Sequence, residues 1–489
     1  MSAPSLTAQV RSALRRAIAV YAGGDQPAVL QGMLDRLDGP LRVAIAGKVK
    51  AGKSTLLNAL VGEEIAPTDA GECTQIVTWY RDGHTPRAML HPVRGTPRQL
   101  PLRRKDSTLA IDLQGTSPAE AERLIVDWPS QRLRTVTLID TPGIASLSTD
   151  TSARTQAFLT PDDAPASADA VLYLMRHLHA SDVRFLESFH DDSVAPSTPV
   201  NAIAVLCRAD EIGAARIDAL FSAKRIAKRY RTDPRVRPLC QTVVPVAGLL
   251  AQAGVTLRET EYAALARLAA APREESEALV LSVDRFTNAE TPIPLTPGER
   301  TALLGRFGLF GVRLASTLIR QGAQDATQLA TELVRRSGLD ELRNVLTTQF
   351  TERRDLLKAR SALLALDQLF RREPRPETAT LAAEVERILA GAHELAELRL
   401  LNALRQGAIG YPRAQLEEAE RLLGAVGASP AARLRLPAEA TTAELRSAAL
   451  DALDRWQRSA ESPLSPRAVA DASRVLVRSC EGILARLAD

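Results

Sequence analysis

The chain has 489 residues, 45% hydrophobic and 25% charged, with a formal net charge of +4. That length suits two or three domains with ordinary cores, and the near balance of charge does not point to nucleic acid as a partner. Cys73, Cys207, Cys240 and Cys480 lie far apart without a CxxC pair, which speaks against a disulfide framework or a zinc site.

Residues 1–10 have neither the basic start nor the apolar run of a signal peptide. No apolar run approaches the roughly 20 residues that span a bilayer. The expectation is a cytoplasmic protein, attached to a membrane at most peripherally, at its inner face. Apolar residues recur at helical spacing over 6–21, where Gly23 and Gly24 stop the pattern, and again over 29–37. From residue 41 the pattern changes to short, β-branched, nearly continuous apolar runs at 41–46, 76–80, 136–139, 170–174, 200–206 and 243–246. These read as buried strands of a mostly parallel sheet flanked by helices. Residues 92–105 are polar and basic, an exposed loop or edge hairpin. Beyond Gly248 no strand signal remains. Helical periods cover 309–319, 327–335 and one long stretch, 339–370, then 381–404, 414–423, 443–456 and 468–487 after the break at Pro374 and Pro376. The fold class expected is an α/β P-loop domain followed by an all-α bundle.

Only seven residues are lysine, and three of them, Lys48, Lys50 and Lys53, fall within six positions. They belong to Gly47-Lys48-Val49-Lys50-Ala51-Gly52-Lys53-Ser54, which fits G-x-x-x-x-G-K-[ST] between a strand and a helix that opens with Thr55. In such a loop backbone N–H groups wrap phosphates and the helix N-terminus adds positive potential. Lys53 reaches the β- and γ-phosphates, and the Ser54 hydroxyl ligates Mg²⁺. The run 136–139 leads into Asp140-Thr141-Pro142-Gly143, placing Asp140 for the Mg²⁺ shell and the Gly143 N–H for the γ-phosphate. Between them lies PTDAGECT, where Thr74 is the first candidate for a metal-binding loop threonine and Thr68 the second. The run 200–206 ends in Cys207-Arg208-Ala209-Asp210. Asp210 would accept from the guanine ring N–H and exocyclic amine, a donor pair that adenine lacks. Arg208 would lie over the base. The run ending at Val246, itself a nucleotide-binding candidate, leads to Ala247-Gly248, where backbone N–H groups would touch the guanine oxygen.

In this order the pieces GKVKAGKST, PTDAGECTQIVTWY, DTPG, CRADEIG and VVPVAGLL resemble the bacterial dynamin-like GTPases, most of all the shorter isoniazid-inducible type. Arg306-Phe307-Gly308 and Ser337-Gly338-Leu339 add to the likeness. The resemblance implies neck helices at 1–38, a GTPase domain at 39–350 and a helical neck and short trunk at 351–489. It further implies GTP-driven homodimers or heterodimers, possible partnership with a longer subunit, an anionic membrane surface and a link to drug tolerance. Where eukaryotic dynamins carry Gln and Ser, this chain has Val49, which cannot orient water, and Lys50, whose ammonium would either replace a monovalent cation or point to solvent. Residues 422–436, mixing leucines with Arg421, Arg433 and Arg435, are the only candidate for a short membrane contact, against the alternative of a buried interhelical turn.

Overall fold

The computed structural model describes residues 5–67, 75–105, 108–142, 168–188, 201–215 and 218–487. Thr68, Thr74 and Gly143 lie outside them. Two helices, α1 (Leu6–Val20) and α2 (Gln26–Asp38), precede β1 (Leu41–Gly47) and α3 (Lys53–Val61). Strands follow at β2 (Thr78–Asp82), β3 (Arg87–Pro92), β4 (Arg98–Leu100), β5 (Leu102–Lys105), β6 (Thr108–Ile111), β7 (Ala121–Trp128), β8 (Val136–Asp140), β9 (Ala170–Met175), β10 (Ala202–Cys207) and β11 (Val243–Val246). With β1, eight of these form one nine-stranded sheet in the order β11-β10-β9-β1-β8-β2-β7-β3-β4, while β5 and β6 pair separately. The half from β11 to β8 is parallel, and β2, β3 and β4 bring in antiparallel pairings. β9 and β10 are buried along their whole length, as their unbroken apolarity requires when helices cover both faces.

The six apolar runs all become strands. β7 escapes that reading because Glu122, Arg123 and Asp127 interrupt it. Its Leu124, Val126 and Trp128 nonetheless alternate into the core, the pattern of a strand with one dry face. The basic stretch 92–105 splits between the edge strand β4 and the β5–β6 ribbon.

The stretch 339–370 is not one helix. Leu339–Leu346 passes through a π-helical turn at Thr347–Thr351 before Arg354–Arg372 resumes. Thr347 and Thr348 turn their hydroxyls back onto the carbonyls of Arg343 and Asn344, each at 3.0 Å, which loosens the regular ladder. Gln349 and Arg353 then bond sideways, Gln349 to Ala425 O at 3.0 Å and Arg353 to the carbonyls of Leu423 and Gly424. The stretch 381–404 likewise divides at Ala392, between Thr378–Gly391 and His393–Gln406.

Residues 422–436 run through an interhelical turn and a short helix, Pro430–Leu434, with Val426 exposed and Leu434 and Leu436 half-buried. Leu422 and Leu423 are buried, and buried Arg433 donates to Leu422 O and pairs with Glu397. This packing removes Leu422, Leu423 and the Arg433 guanidinium from the surface. The helical stretch Pro297–Arg320, kinked at Gly308, is long and apolar enough to cross a membrane by length and composition. It packs in the core through Leu303, Phe307, Phe310, Leu314 and Leu318, and Arg313 and Arg320 bond neighbouring carbonyls.

α1 starts at Ser5, whose hydroxyl accepts from the Ala8 N–H, and buries Val10, Ala13, Leu14 and Ala17 on one stripe. That stripe packs on Arg354–Arg372 and Thr378–Gly391, joining the first helix to late ones. Tyr21 extends the contact, stacking on Phe370 beneath the Arg375 guanidinium. Lys358 Nζ caps the end of α2 at Arg36 O (2.6 Å) and Gly39 O, where free helix carbonyls favour a cation.

Ser337 ends the helix Ala326–Ser337, and its carbonyl accepts from the Ala247 N–H at 2.9 Å, just beyond β11. Gly338 follows at φ 85°, where a Cβ would stand 2.1 Å from Pro245 O. Gly338→Ala combines a left-handed backbone with a backbone clash. It is expected to destabilise the chain by about 3 kcal/mol, read as a lowered midpoint in chemical denaturation.

Candidate nucleotide-binding site

β1 lies between β8 and β9 and delivers the glycine-rich loop to the C-terminal edge of the parallel half-sheet. Gly47 sits at φ 151°, and a Cβ there would be 2.6 Å from Leu174 O, so only glycine lets the loop leave the strand here. Lys50 and Gly52 are also left-handed, at φ 61° and 96°. α3 begins at Lys53. The Lys53 Nζ lies 3.3 and 3.4 Å from the carbonyls of Gly47 and Lys48, and burial lowers its pKa while Asp140 opposes that shift.

The Ser54 hydroxyl donates to Asp140 Oδ2 at 2.7 Å. Burial raises the Asp140 pKa, with Lys53 and the Ser54 bond opposing. Its other oxygen, Oδ1, is buried with no hydrogen-bond partner among the described residues. A buried carboxylate oxygen left open beside a hydroxyl is a donor set suited to a hard, oxygen-seeking cation such as Mg²⁺.

The three loop lysines part company. Lys48 turns away from the loop to Asp182, 3.1 Å off, and Asp182 also accepts from Tyr173 OH at 2.7 Å and the His179 N–H at 2.9 Å. Lys50 and Val49 are exposed at the loop's apex, Ala51 is buried and Thr55 half-buried.

Beside the loop opens a cleft of about 150 Å³, lined among others by Ala51, Thr55, Cys207, Arg208, Asp210 and Val246. Asp210 is nearly buried, and burial raises its pKa. The Cys207 thiol, pushed up to about 12 by burial, stays neutral and acts as wall. Arg208 stands at φ 51°, its guanidinium donating to Glu211 Oε1 at 2.5 Å and to Lys50 O at 2.8 Å. Glu211 also binds Arg176, at the end of β9. A planar fork can hold a carbonyl and a carboxylate together, which a lysine ammonium does less rigidly. The Ala247 N–H is committed to Ser337 O, so its amide does not open on the cleft; Gly248, first in the helix Gly248–Val255, lines it instead.

A profile of the dynamin family matches residues 43–193. Isoniazid-induced protein IniC of Mycobacterium tuberculosis, in strains CDC 1551 and H37Rv, is 42% identical over 488 residues, covering 98% of this chain and 99% of the relative. The chain belongs to the dynamin family. A bacterial dynamin-like protein of Nostoc punctiforme is 30% identical over 170 residues, covering 31% of this chain and 23% of that one. Two solved structures, both described as an oligomerised bacterial dynamin pair, span the whole chain and 77% and 76% of their own, at 13% identity with TM-scores of 0.30 and 0.32. Scores that low do not bear on the fold, which rests on the strand order above. The sheet with its loop is therefore a dynamin-like GTPase domain.

Asp182, Glu211 and Arg176 stand in this dynamin-family site without having been singled out by their motifs. The signal for Glu211 was its place three residues after Arg208, the reach of a single turn; Asp182 carried none. Asp210→Asn is expected to weaken GTP binding by about tenfold or more and to shift preference to xanthosine triphosphate, as removing one charged hydrogen-bond partner predicts. Competition binding with fluorescent nucleotides checks this. Glu211→Ala frees the Arg208 fork and should raise KM by about tenfold, the value of one charge-assisted bond, with kcat within about twofold. Glu211→Gln should fall between the two in steady-state kinetics.

Proposed function

We propose that this chain binds GTP with Mg²⁺, hydrolyses it, and couples turnover to association through its GTPase domain and to remodelling of the cell membrane at the inner, anionic face. The observation that carries this reading is the Ser54–Asp140 pair with its open carboxylate oxygen at the N-terminus of α3, next to a cleft bearing Asp210. Mg²⁺, held by Ser54 and Asp140, would neutralise charge on the phosphates. Lys53 binds the β- and γ-phosphates, and amides of the loop Gly47–Lys53 and the first turn at Ser54 and Thr55 surround them. Asp210 selects guanine while Arg208, fixed by Glu211, forms a wall over the base. Gly248, in place of Ala247, offers its N–H to the guanine oxygen, since the first N–H groups of a helix have no internal acceptor. Thr74 and Gly143 keep their proposed roles at the metal and the γ-phosphate. Lys50 stabilises transition-state charge from within the chain, so turnover should not need potassium.

The division into 1–38, 39–350 and 351–489 belongs to this proposal, and the packing of α1 on the helices after residue 353 supports pairing its first and last parts. The resemblance adds a role in envelope maintenance and drug tolerance, which the name of the isoniazid-induced relative supports.

A second reading is a slow GTP-binding partner that heterodimerises with a longer, membrane-bound dynamin-like subunit. Val49, an exposed apolar side chain where water must be oriented, favours it. GTP turnover by the purified chain, with and without phosphatidylglycerol liposomes and with sodium replacing potassium, separates the two. The first reading predicts acceleration on liposomes in either salt. Slow turnover indifferent to lipid selects the second, and a steep potassium requirement rejects the role of Lys50.

A further inference from the structure

The helix Ala219–Arg231 packs on β11 and buries Ala219, Ala223, Ala227 and Tyr230. Its outer face carries Lys224, Arg225, Lys228 and Arg229, all exposed, together with Phe221 at 66% exposure. Two of the chain's seven lysines stand here. None of the four cations forms an ion pair with a described residue, whereas their neighbours do: Arg231 with Glu341 at 2.7 Å, Arg235 with Asp233 at 2.9 Å. In a chain with 62 cationic and 58 acidic residues, this one face holds as much charge as the whole formal net of +4.

The spacing matters. Lys224 with Lys228, and Arg225 with Arg229, are like charges at i,i+4, an arrangement that destabilises a helix by itself. The end of a helix helps to offset Lys228 and Arg229 through its free carbonyls, but Lys224 and Arg225 lie a turn earlier. The fold therefore tolerates a repulsive stripe that an external anionic surface would relieve. The face also exposes a phenyl ring among the cations.

We infer that this helix is a docking face for an anionic lipid surface, its four cations over the headgroups and the Phe221 ring in the interfacial layer. The inference rests on the membrane part of the function proposed above and moves the contact to the GTPase domain, away from residues 422–436. The helix's apolar side is already occupied by the protein core, so it cannot sink into the bilayer as a free amphipathic helix does. Attachment is then reversible, electrostatic and salt-sensitive.

The test is flotation of the full-length chain with vesicles of phosphatidylglycerol and phosphatidylcholine mixed, and of phosphatidylcholine alone, at two salt concentrations. Binding is expected on the mixed vesicles, falling with salt, and not on phosphatidylcholine. Each neutralised cation should weaken it by about fivefold, so a variant with Lys224, Arg225, Lys228 and Arg229 all changed to Gln should not float. Phe221→Ser should weaken binding without altering its salt dependence. GTP turnover in solution, unchanged in these variants, reports intact folding. Wild-type flotation by the four-Gln variant overturns the proposal. So does loss of flotation in Leu464→Ser alone, a substitution at the 92% exposed residue between the two last helices. Tighter retention of duplex DNA than of vesicles at equal salt also overturns it. Flotation without GTP turnover sinks the GTPase reading and leaves this face standing; turnover without flotation does the reverse.

Discussion

β1 pairs with β8 so that Ile45 faces Asp140, and with β9 so that Gly47 faces Leu174. Everything at the site depends on this double register. A strand shifted by one residue would turn its side chains to the opposite face. Asp140 would then lose Ser54, and the loop could not turn away from the sheet against Leu174 O. The half-sheet that enforces the register is dry on both faces, so the charges at its edge are costly unless paired. That explains the direction of the shifts: Asp140 raised and Lys53 lowered, each held back by the other.

The loop and the base cleft are also tied to the helices beyond them. The Asn58 amide, buried within α3, bonds Ile65 N, Ala66 N and Ala66 O, fixing the chain where it leaves for residues 68–74. Arg306 reaches Glu64 in that same departure and Glu261 and Thr256 on the opposite side. The end of α3 receives Arg343, 3.0 Å from Ala59 O, and Arg132, 3.3 Å from Leu60 O. Arg343 belongs to the helix Leu339–Leu346, whose start is stitched to Ala247 through Ser337. The helix leaving the sheet is thus tied to α3 on one side and to the segment after β11 on the other. Its continuation runs into the π-helical turn, where Arg353 is buried against carbonyls of Leu423 and Gly424, and burial lowers its pKa to about 10. A guanidinium removed from water in this way is a firm joint, because breaking it exposes carbonyls and leaves a charge unpaired.

Much of this was legible along the chain. The glycine-rich loop, the six apolar runs, Asp140 and Asp210 are local patterns, each set by spacing within a few residues and by the period of one element. β7 was not, because its charged residues hid an alternation that matters only once β2 and β3 flank it. The break in 339–370 was not either, since the residues that draw Gln349 and Arg353 aside lie 70 to 76 positions later.

What the sequence determined by itself is the set of groups on offer: a glycine-rich loop of the P-loop pattern, a carboxylate at the end of β8, another after β10, and a helical second half. Tertiary structure decided how that chemistry is held. It sent Lys48 to Asp182 across 134 positions and Arg208 to Lys50 O across 158. It turned the Ala247 amide to Ser337, tucked Leu422, Leu423 and Arg433 inward, and left the four cations on the outer face of Ala219–Arg231 without an ion pair among the described residues. The reason is physical. Periodicity and spacing act within one element, whereas the partner of a buried charge or amide is chosen by whichever distant segment packing brings within hydrogen-bond reach.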